Sequence, residues 1–147
     1  MPDFMNMALR EAEQASARGE VPVGAVLVAA GNRVIAQVGN RVEEWRDPTA
    51  HAEMLAIREG AKATGLGRLT DCDLYVTLEP CAMCAAAISF ARLRRVYYAA
   101  YDPKGGGVDH GARFFTQPTC HHAPEVVSGM EEHKAAQLLK EFFSARR

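Results

Sequence analysis

Residues 74–90, LYVTLEPCAMCAAAISF, decide the fold, because they place a short strand directly before a helix. The apolar run Leu74–Leu78 has the length and composition of a buried strand. Pro80 fits the first turn of a helix, which continues through an alanine-rich run to about Phe90. Val96–Ala100 is the next apolar run, so the order strand, helix, strand is typical of an α/β protein.

The residues before this stretch predict a helix followed by a hairpin. Apolar side chains recur at helical spacing over residues 4–15, and this helix ends near Arg18–Gly19, where glycine is a common stop signal. The valine-rich segment Val21–Ala29 predicts a buried strand, Gly31–Asn32 a turn, and Val34–Val38 the returning strand. The two strands are therefore expected to pair as a hairpin.

Three further segments complete the predicted layers. Thr49 can cap a helix that runs from about residue 50 to residue 63. Residues 125–127 predict a short edge strand, and residues 131–146 a last amphipathic helix. Because strands alternate with helices, we expect a layered α/β fold with helices on both faces of one sheet. The 147 residues show no internal repeat or linker, which suits a single domain over 1–147.

The composition and charge favour some classes of protein over others. The chain is 48% hydrophobic and 24% charged, as folded proteins are. Residues 1–18 carry charges where a secretion signal needs an apolar core, and no run approaches the roughly 20 apolar residues of a membrane span. We therefore expect a cytoplasmic protein without a membrane partner, in which four cysteines favour metal binding or catalysis over disulfides. The net charge of −1 leaves only local patches for nucleic acid, such as Arg92, Arg94 and Arg95.

Two short motifs, His51-Ala52-Glu53 and Pro80-Cys81-Ala82-Met83-Cys84, carry the chemistry, and each lies at the start of a predicted helix. Cys81 and Cys84 are three positions apart, so both sulfurs can face one ion, and a helix N-terminus favours thiolates. His51 completes a tripod for Zn²⁺ that leaves one position open for water, as catalytic zinc sites do. Glu53 is the predicted proton carrier beside that water.

The residues alone leave two questions open at this site. Side chains two positions apart on a regular helix point some 200° apart. His51 and Glu53 can therefore share a site only if the metal lies over the helix end or the first turn is irregular. In addition, Cys72 or Cys120 could supply a fourth ligand, which would make the chain a zinc-stabilised binding module with no role for Glu53.

The spacing H-x-E…P-C-x-x-C is the signature of zinc nucleobase deaminases. With the flanking blocks Asp47–Glu53 and Tyr75–Cys84, and with Asp102-Pro103-Lys104-Gly105, the chain resembles the bacterial tRNA-specific adenosine deaminases over nearly its whole length. The resemblance implies a three-layer α/β/α cytidine deaminase-like fold, with a central mixed sheet of about five strands and an N-terminal hairpin. It also implies one Zn²⁺ per subunit and a homodimer.

The activity implied by the resemblance is hydrolysis of adenosine to inosine at the wobble position of the tRNA anticodon stem-loop. Zinc-bound hydroxide would attack C6 of a flipped adenine while Glu53 moves the protons. The implied substrate contacts are Asn40, the backbone at Ala52, Asp102, Lys104, His122, Phe143 and Arg146, with Arg147 as a further phosphate contact. His121 stands where many members have asparagine, which is a departure from the family pattern.

A deaminase of a free nucleobase or nucleoside, acting on guanine, cytosine or cytidine, is the alternative function. Such an enzyme would use the same zinc core and would need no RNA surface, which suits the net charge of −1. The arginine cluster, Lys104 and the carboxy-terminal pattern Phe142-Phe143 with Arg146 favour RNA.

Overall fold

A five-stranded mixed sheet forms the centre of the molecule in the computed structural model, which describes residues 2–146. The elements along the chain are α1 (Phe4–Ala17), β1 (Gly24–Ala29), β2 (Arg33–Gly39), α2 (Val42–Trp45), α3 (Ala52–Thr64), β3 (Asp73–Leu78), α4 (Ala82–Ala91), β4 (Arg95–Ala100), a 3₁₀ turn (Phe114–Thr116), β5 (Glu125–Ser128) and α5 (Glu132–Ser144). The strand order is β2-β1-β3-β4-β5. β1 is antiparallel to β2 and β3, whereas β3, β4 and β5 are parallel. The predicted mixed sheet with an N-terminal hairpin is confirmed.

Helices cover both faces of this sheet. Successive side chains of a strand point to opposite faces, and β1 shows the consequence clearly. Ala25 and Leu27 belong to the core that also contains residues of α3 and α4, whereas Val26 and Val28 belong to the core shared with α1 and α5. The three-layer α/β/α prediction is therefore confirmed.

The two helices that carry the chemical motifs begin later than the sequence predicts. α3 begins at Ala52, and His51 takes the N-cap position that was expected for Thr49. The amide and hydroxyl of Thr49 both bond the carboxylate of Asp47, at 2.8 and 2.7 Å, so Thr49 belongs to a turn before the helix. α4 likewise begins at Ala82, with Cys81 as its N-cap.

Two short elements, α2 and the 3₁₀ turn, have no counterpart in the sequence prediction. α2 has four residues, and its first amides are bound by a residue that is distant in the sequence. The buried carboxylate of Glu20 accepts hydrogen bonds from the Glu43 and Glu44 amides at 3.0 and 2.8 Å. A cap supplied by a residue more than 20 positions away leaves no local pattern in the sequence.

The arginine cluster that favoured RNA is largely engaged within the fold. Arg94 forms a two-pronged ion pair with Asp73 at 2.9 and 2.7 Å, and Arg95 pairs with Glu125 at 2.9 Å. Arg92 donates to the carbonyl of His121 at 3.1 Å. The cluster therefore supports RNA binding less than its sequence spacing indicates. No helix within residues 2–146 is long and apolar enough to cross a membrane.

Candidate active site

Distant parts of the chain meet around a pocket at the end of the sheet where β3 and β4 finish. β3 and β4 are parallel, so the segments that follow them lie side by side, and the antiparallel β1 and β2 bring residues 19–23 and 40 to the same edge. α3 and α4 both begin there. The pocket has a volume of about 720 Å³, which suits a small-molecule or nucleotide site. Its lining includes Asn40, His51, Glu53, Cys81, Asp102 and Arg146.

The starts of α3 and α4 present three metal-ligating side chains to one point. Nδ1 of His51 lies 3.6 Å from Sγ of Cys81 and 3.5 Å from Sγ of Cys84. The ligand atoms of all three lie within 4.8 Å of one another, and no other such group was found within residues 2–146. This cluster is the one predicted from the sequence.

The position of His51 explains how His51 and Glu53, two positions apart in the sequence, can face the same site. His51 has extended backbone angles, φ −73° and ψ 151°, so it precedes the helix rather than lying on its regular surface. Glu53 lies in the first turn of α3, and both residues line the pocket. The cluster therefore sits over the helix end, where side chains two positions apart can face one site.

Glu53 is almost fully buried at the base of the pocket, with 4% of its surface exposed. Burial raises the pKa of Glu53 to about 7, because a carboxylate loses its hydration in the interior. A carboxyl group with a pKa near neutrality can both accept and release a proton at physiological pH, as a general acid–base catalyst must.

The two thiols of the cluster show that the donor set fits a divalent cation. The hydrogen bond with Cys84 lowers the pKa of Cys81 to about 4, whereas the same bond and burial raise the pKa of Cys84. Two thiolates beside a buried carboxyl group therefore cannot both form without a compensating positive charge. Two sulfurs and one imidazole nitrogen are the ligand set that Zn²⁺ takes when a fourth position stays open.

Neither of the other cysteines completes the cluster. Cys72 is buried in the core, and burial raises the pKa of its thiol to about 11. Sγ of Cys120 lies 3.6 Å from the Ser89 hydroxyl and 3.2 Å from the carbonyl of His122. The four-ligand arrangement that a zinc-stabilised binding module needs is therefore absent among residues 2–146.

Asn40 is fixed at the pocket wall by three hydrogen bonds. Its amide donates to the carbonyl of Val23 at 3.1 Å, and its carbonyl accepts from Nη2 of Arg18 at 3.0 Å. Its side-chain oxygen accepts from the amide of Ala52 at 2.7 Å. The Ala52 amide is thus already bound by Asn40, which itself lines the pocket.

The other predicted substrate contacts divide into two groups. Asp102 and Arg146 line the pocket, and the Arg146 guanidinium lies 3.5 Å from the ring centroid of Phe142. Lys104, His122 and Phe143 do not belong to the lining. Lys104 is exposed on the loop after Asp102, Nε2 of His122 lies 2.7 Å from the carbonyl of Leu93, and Phe143 is 49% exposed. Arg147 lies outside the described residues.

Several residues of the pocket lining were not predicted from the sequence as site residues, and among them are Glu20, Glu79 and Phe142, which carry charge or an aromatic ring. Glu20 and Glu79 are buried carboxylates at the pocket, and Phe142 rather than Phe143 contributes the aromatic ring to its lining. Glu79 directly precedes Pro80 of the metal motif, and this position could have marked it as a site residue. Its hydrogen-bond partners, however, lie far away in the sequence. The amphipathic spacing of α5 could not tell which of two adjacent phenylalanines turns inwards.

Similarity to known proteins extends over nearly the whole chain. The family model for the cytidine and deoxycytidylate deaminase zinc-binding region matches residues 2–100. A tRNA-specific adenosine deaminase of Agrobacterium fabrum is 61% identical over 98% of this chain and 94% of that protein.

Two solved structures extend the comparison. One, from a study of A-to-I editing by tRNA:A34 deaminases at the wobble position of transfer RNA, superposes with a TM-score of 0.91 at 62% identity, covering 92% of this chain and 98% of that one. The guanine deaminase of Bacillus subtilis superposes with a TM-score of 0.65 at 35% identity, covering 97% and 91%. The similarity therefore includes the hairpin and the carboxy-terminal helix as well as the metal motifs.

Proposed function

This chain belongs to the family of tRNA-specific adenosine deaminases, and we propose on that premise that it hydrolyses adenosine to inosine at the wobble position of tRNA. The observation that carries the proposal is the buried Glu53 beside the His51, Cys81 and Cys84 cluster at the base of an open pocket. An acid–base group and a metal tripod in one pocket are what hydrolytic deamination of a purine requires.

His51, Cys81 and Cys84 would hold one Zn²⁺ per subunit, which would supply the Lewis acidity that makes water a nucleophile at neutral pH. Glu53 accepts the proton that the water releases and passes it to the purine ring as C6 is attacked. Glu53 then transfers the second proton of the attacking water to the amino group as the C6–N bond breaks and the new C6–O bond becomes a carbonyl, so adenosine and water give inosine and ammonia. The burial of Glu53 keeps this proton from exchanging freely with solvent.

The pocket holds one base rather than a stretch of RNA, so the adenosine must leave its stack to reach Glu53. Asn40 presents its side-chain NH₂ to the base, and Asp102 and Arg146 contact the nucleotide at the rim. Lys104 and Phe143, exposed outside the pocket, contact the anticodon stem-loop beyond the flipped base, as does His122. These roles agree with the family resemblance and with the exposure of the side chains.

The active form is a homodimer, built from the one domain over residues 1–147, in the cytoplasm where tRNA is available. The sequence of α4, AMCAAAISFA, contains no charged residue, and Phe90 on it is 73% exposed. A helix that lacks charge and exposes a large aromatic side chain is typical of the interfaces that protein subunits bury. Light scattering of the purified chain at micromolar concentration tests the dimer.

The substrate is tested by incubating the zinc-loaded chain with an anticodon stem-loop that carries adenosine at the wobble position. A matched stem-loop has the adenosine moved by one position, and separate reactions contain free adenine, guanine and cytosine. We expect inosine from the first RNA and from none of the others. Turnover of a free base but not of the stem-loop would overturn the proposal. It would favour a nucleobase deaminase, a class that includes the structurally similar guanine deaminase.

A further inference from the structure

Glu79 carries a buried carboxylate that binds two other segments of the chain. Its Oε1 accepts the amide of Asp102 at 3.0 Å and lies 2.7 Å from Nδ1 of His110. Its Oε2 accepts the amides of Val108, Asp109 and His110 at 3.2, 2.9 and 3.1 Å. Glu79 as a whole is only 2% exposed. One side chain therefore ties the residues after β4 to the residue that follows β3.

Such a carboxylate is costly to bury unless its oxygens are hydrogen-bonded. Burial alone would raise the pKa of Glu79, but the hydrogen bonds from Asp102, His110, Asp109 and Val108 bring the pKa below its usual value. The dependence is mutual, because the four backbone amides would have no acceptor if the carboxylate were removed. Glu79 and the loop after β4 thus hold each other in place.

The loop that Glu79 holds is pressed against the turn that carries Cys81. A Cβ added at Gly106 would lie 2.4 Å from Oε2 of Glu79, and one added at Gly107 would lie 2.6 Å from the amide nitrogen of Ala82. The Gly107 amide also donates to the carbonyl of Pro80 at 2.8 Å. Only glycines allow this approach, so the loop has little freedom to move away from the start of α4.

Asp102 is the point at which this network reaches the pocket. It lines the pocket, its amide is bound by Glu79, and its own carboxylate accepts the amides of Lys104 and Gly105 at 3.3 and 3.0 Å. Its carbonyl accepts the amide of Gly106 at 2.8 Å. The position of the Asp102 side chain at the rim therefore depends on the Glu79 carboxylate.

We propose that Glu79 is a positioning residue, which holds the loop after β4 at residues 102 and 108–110 and thereby fixes Asp102 and Gly105 in the wall of the substrate pocket. It supplies neither a metal ligand nor the catalytic proton. This inference rests on the proposed function, since it assigns a substrate contact to Asp102. It predicts that loss of the carboxylate weakens RNA binding while the metal cluster and Glu53 continue to work.

The test compares Glu79→Gln with the unchanged zinc-loaded chain, using the stem-loop with a wobble adenosine. The isosteric amide keeps one acceptor oxygen but turns an NH₂ towards backbone donors. We expect full zinc content, a dissociation constant for the RNA raised about 10- to 100-fold, as loss of a charge-assisted hydrogen bond would cause, and a smaller change in kcat. Fluorescence anisotropy gives the affinity, and single-turnover assays give the rate.

Asp73→Asn is the matched control, because it removes a buried carboxylate from the opposite end of the same strand, where Asp73 pairs with Arg94. It should lower the melting temperature without changing RNA affinity. If Glu79→Gln also lowers only the melting temperature, Glu79 is merely structural and the inference is wrong. If the unchanged chain does not deaminate the stem-loop, the proposed function fails instead, so the two failures are distinguishable.

A double-mutant cycle with Asp102→Ala tests the route of the effect. If Glu79 acts through Asp102, the two losses in RNA affinity are far from additive, whereas independent roles would give additive losses. Should Glu79→Gln not fold, His110→Ala takes its place in the cycle, because it removes one donor and leaves the carboxylate intact. Additive losses in that cycle would likewise overturn the inference.

Discussion

The base of the pocket and its rim are built in different ways. The base consists of His51, Glu53, Cys81 and Cys84, which lie at the starts of two helices packed against the sheet. The rim includes Asp102, which follows a strand in a loop, and Arg146, which lies just beyond the end of α5. The base residues are held by the starts of two helices, whereas Asp102, which is half-buried, and Arg146, which is exposed, reach the pocket from separate segments outside regular structure.

This difference separates the chemistry from the recognition of the substrate. Ligand and proton-carrier positions at the base follow from two helix ends, so small changes elsewhere leave them in place. Rim and wall positions depend on long-range hydrogen bonds, such as those of Glu79 to the loop after β4 and of Arg18 to Asn40. Changes at the base should therefore abolish turnover, while changes at the rim should weaken RNA binding by smaller factors.

Removal of a metal ligand should have the largest effect. In Cys84→Ala the tripod loses one of its two sulfurs, and the remaining pair of ligands cannot hold zinc in a tetrahedral site. We expect zinc content near zero after dialysis and turnover below about 10⁻³ of the unchanged chain, since the activated water is lost. Atomic absorption and inosine formation measure the two quantities.

Cys72→Ala is the control for this prediction, because Cys72 is a buried cysteine outside the cluster. It should keep its zinc and its turnover. Zinc retained in Cys84→Ala at the level of the control would show that the cluster is not the metal site.

Glu53→Gln should separate proton transfer from metal binding. The amide keeps the shape of the side chain but cannot carry the proton, so kcat should fall by about 10² to 10⁴ while zinc content stays unchanged. Single-turnover assays with the wobble-adenosine stem-loop, beside metal analysis of the same sample, measure both. Unchanged RNA affinity is expected as well, and a variant that turns over at the normal rate would remove Glu53 from the mechanism.

The sequence predicted the base of the pocket well because its information is local. The spacing of Cys81 and Cys84, and of His51 and Glu53, places each pair at one helix start, and both starts were indicated by the flanking prolines and apolar residues. The boundaries were one or two residues early, because the turn at Asp47 holds Thr49 outside the helix. The two layers of helices followed from strand and helix alternation, and the mixed sheet with its N-terminal hairpin followed from the family resemblance, whereas the strand order was not predicted.

The rim was predicted by resemblance alone, and the interactions that position it were not predicted. Glu79 binds partners 23 and 31 positions away, and no periodic pattern connects residues at such distances. The same applies to Glu20 and α2, a helix too short to show a hydrophobic period. The arginine cluster indicated an RNA surface wrongly for a related reason. The carboxylates that pair with Arg94 and Arg95, those of Asp73 and Glu125, lie on other strands.

Arg146→Ala should have an intermediate effect, on RNA binding rather than on chemistry. The guanidinium is held over the Phe142 ring at the pocket lining, where it can meet a phosphate beside the flipped adenosine. Loss of one such contact should weaken binding about tenfold and lower the slope of log affinity against log salt by about 1. Anisotropy titrations at several salt concentrations measure both values.

Lys140→Ala is the matched variant for Arg146→Ala, since it removes one positive charge from the exposed surface of α5 outside the pocket lining. It should change neither the affinity nor the slope by more than a small amount. Equal losses in the two variants would mean that α5 attracts RNA only by its general charge, and Arg146 would then have no specific role at the rim.

Arg18→Met should give the smallest effect. It tests whether the pocket wall at Asn40 depends on the hydrogen bond that Arg18 donates from outside the pocket lining. Methionine keeps the aliphatic stem but removes the hydrogen bond from Nη2 to the Asn40 carbonyl, while the bonds of Asn40 to Val23 and Ala52 remain. A part-buried hydrogen bond contributes about 0.5 to 1.5 kcal/mol, so RNA affinity should fall about two- to tenfold with zinc content and kcat unchanged.

Arg10→Met, on the exposed surface of α1, is the control and should bind normally. If Arg18→Met also binds normally, the two remaining bonds suffice to hold Asn40, and the wall at Asn40 behaves like the base of the pocket rather than like its rim.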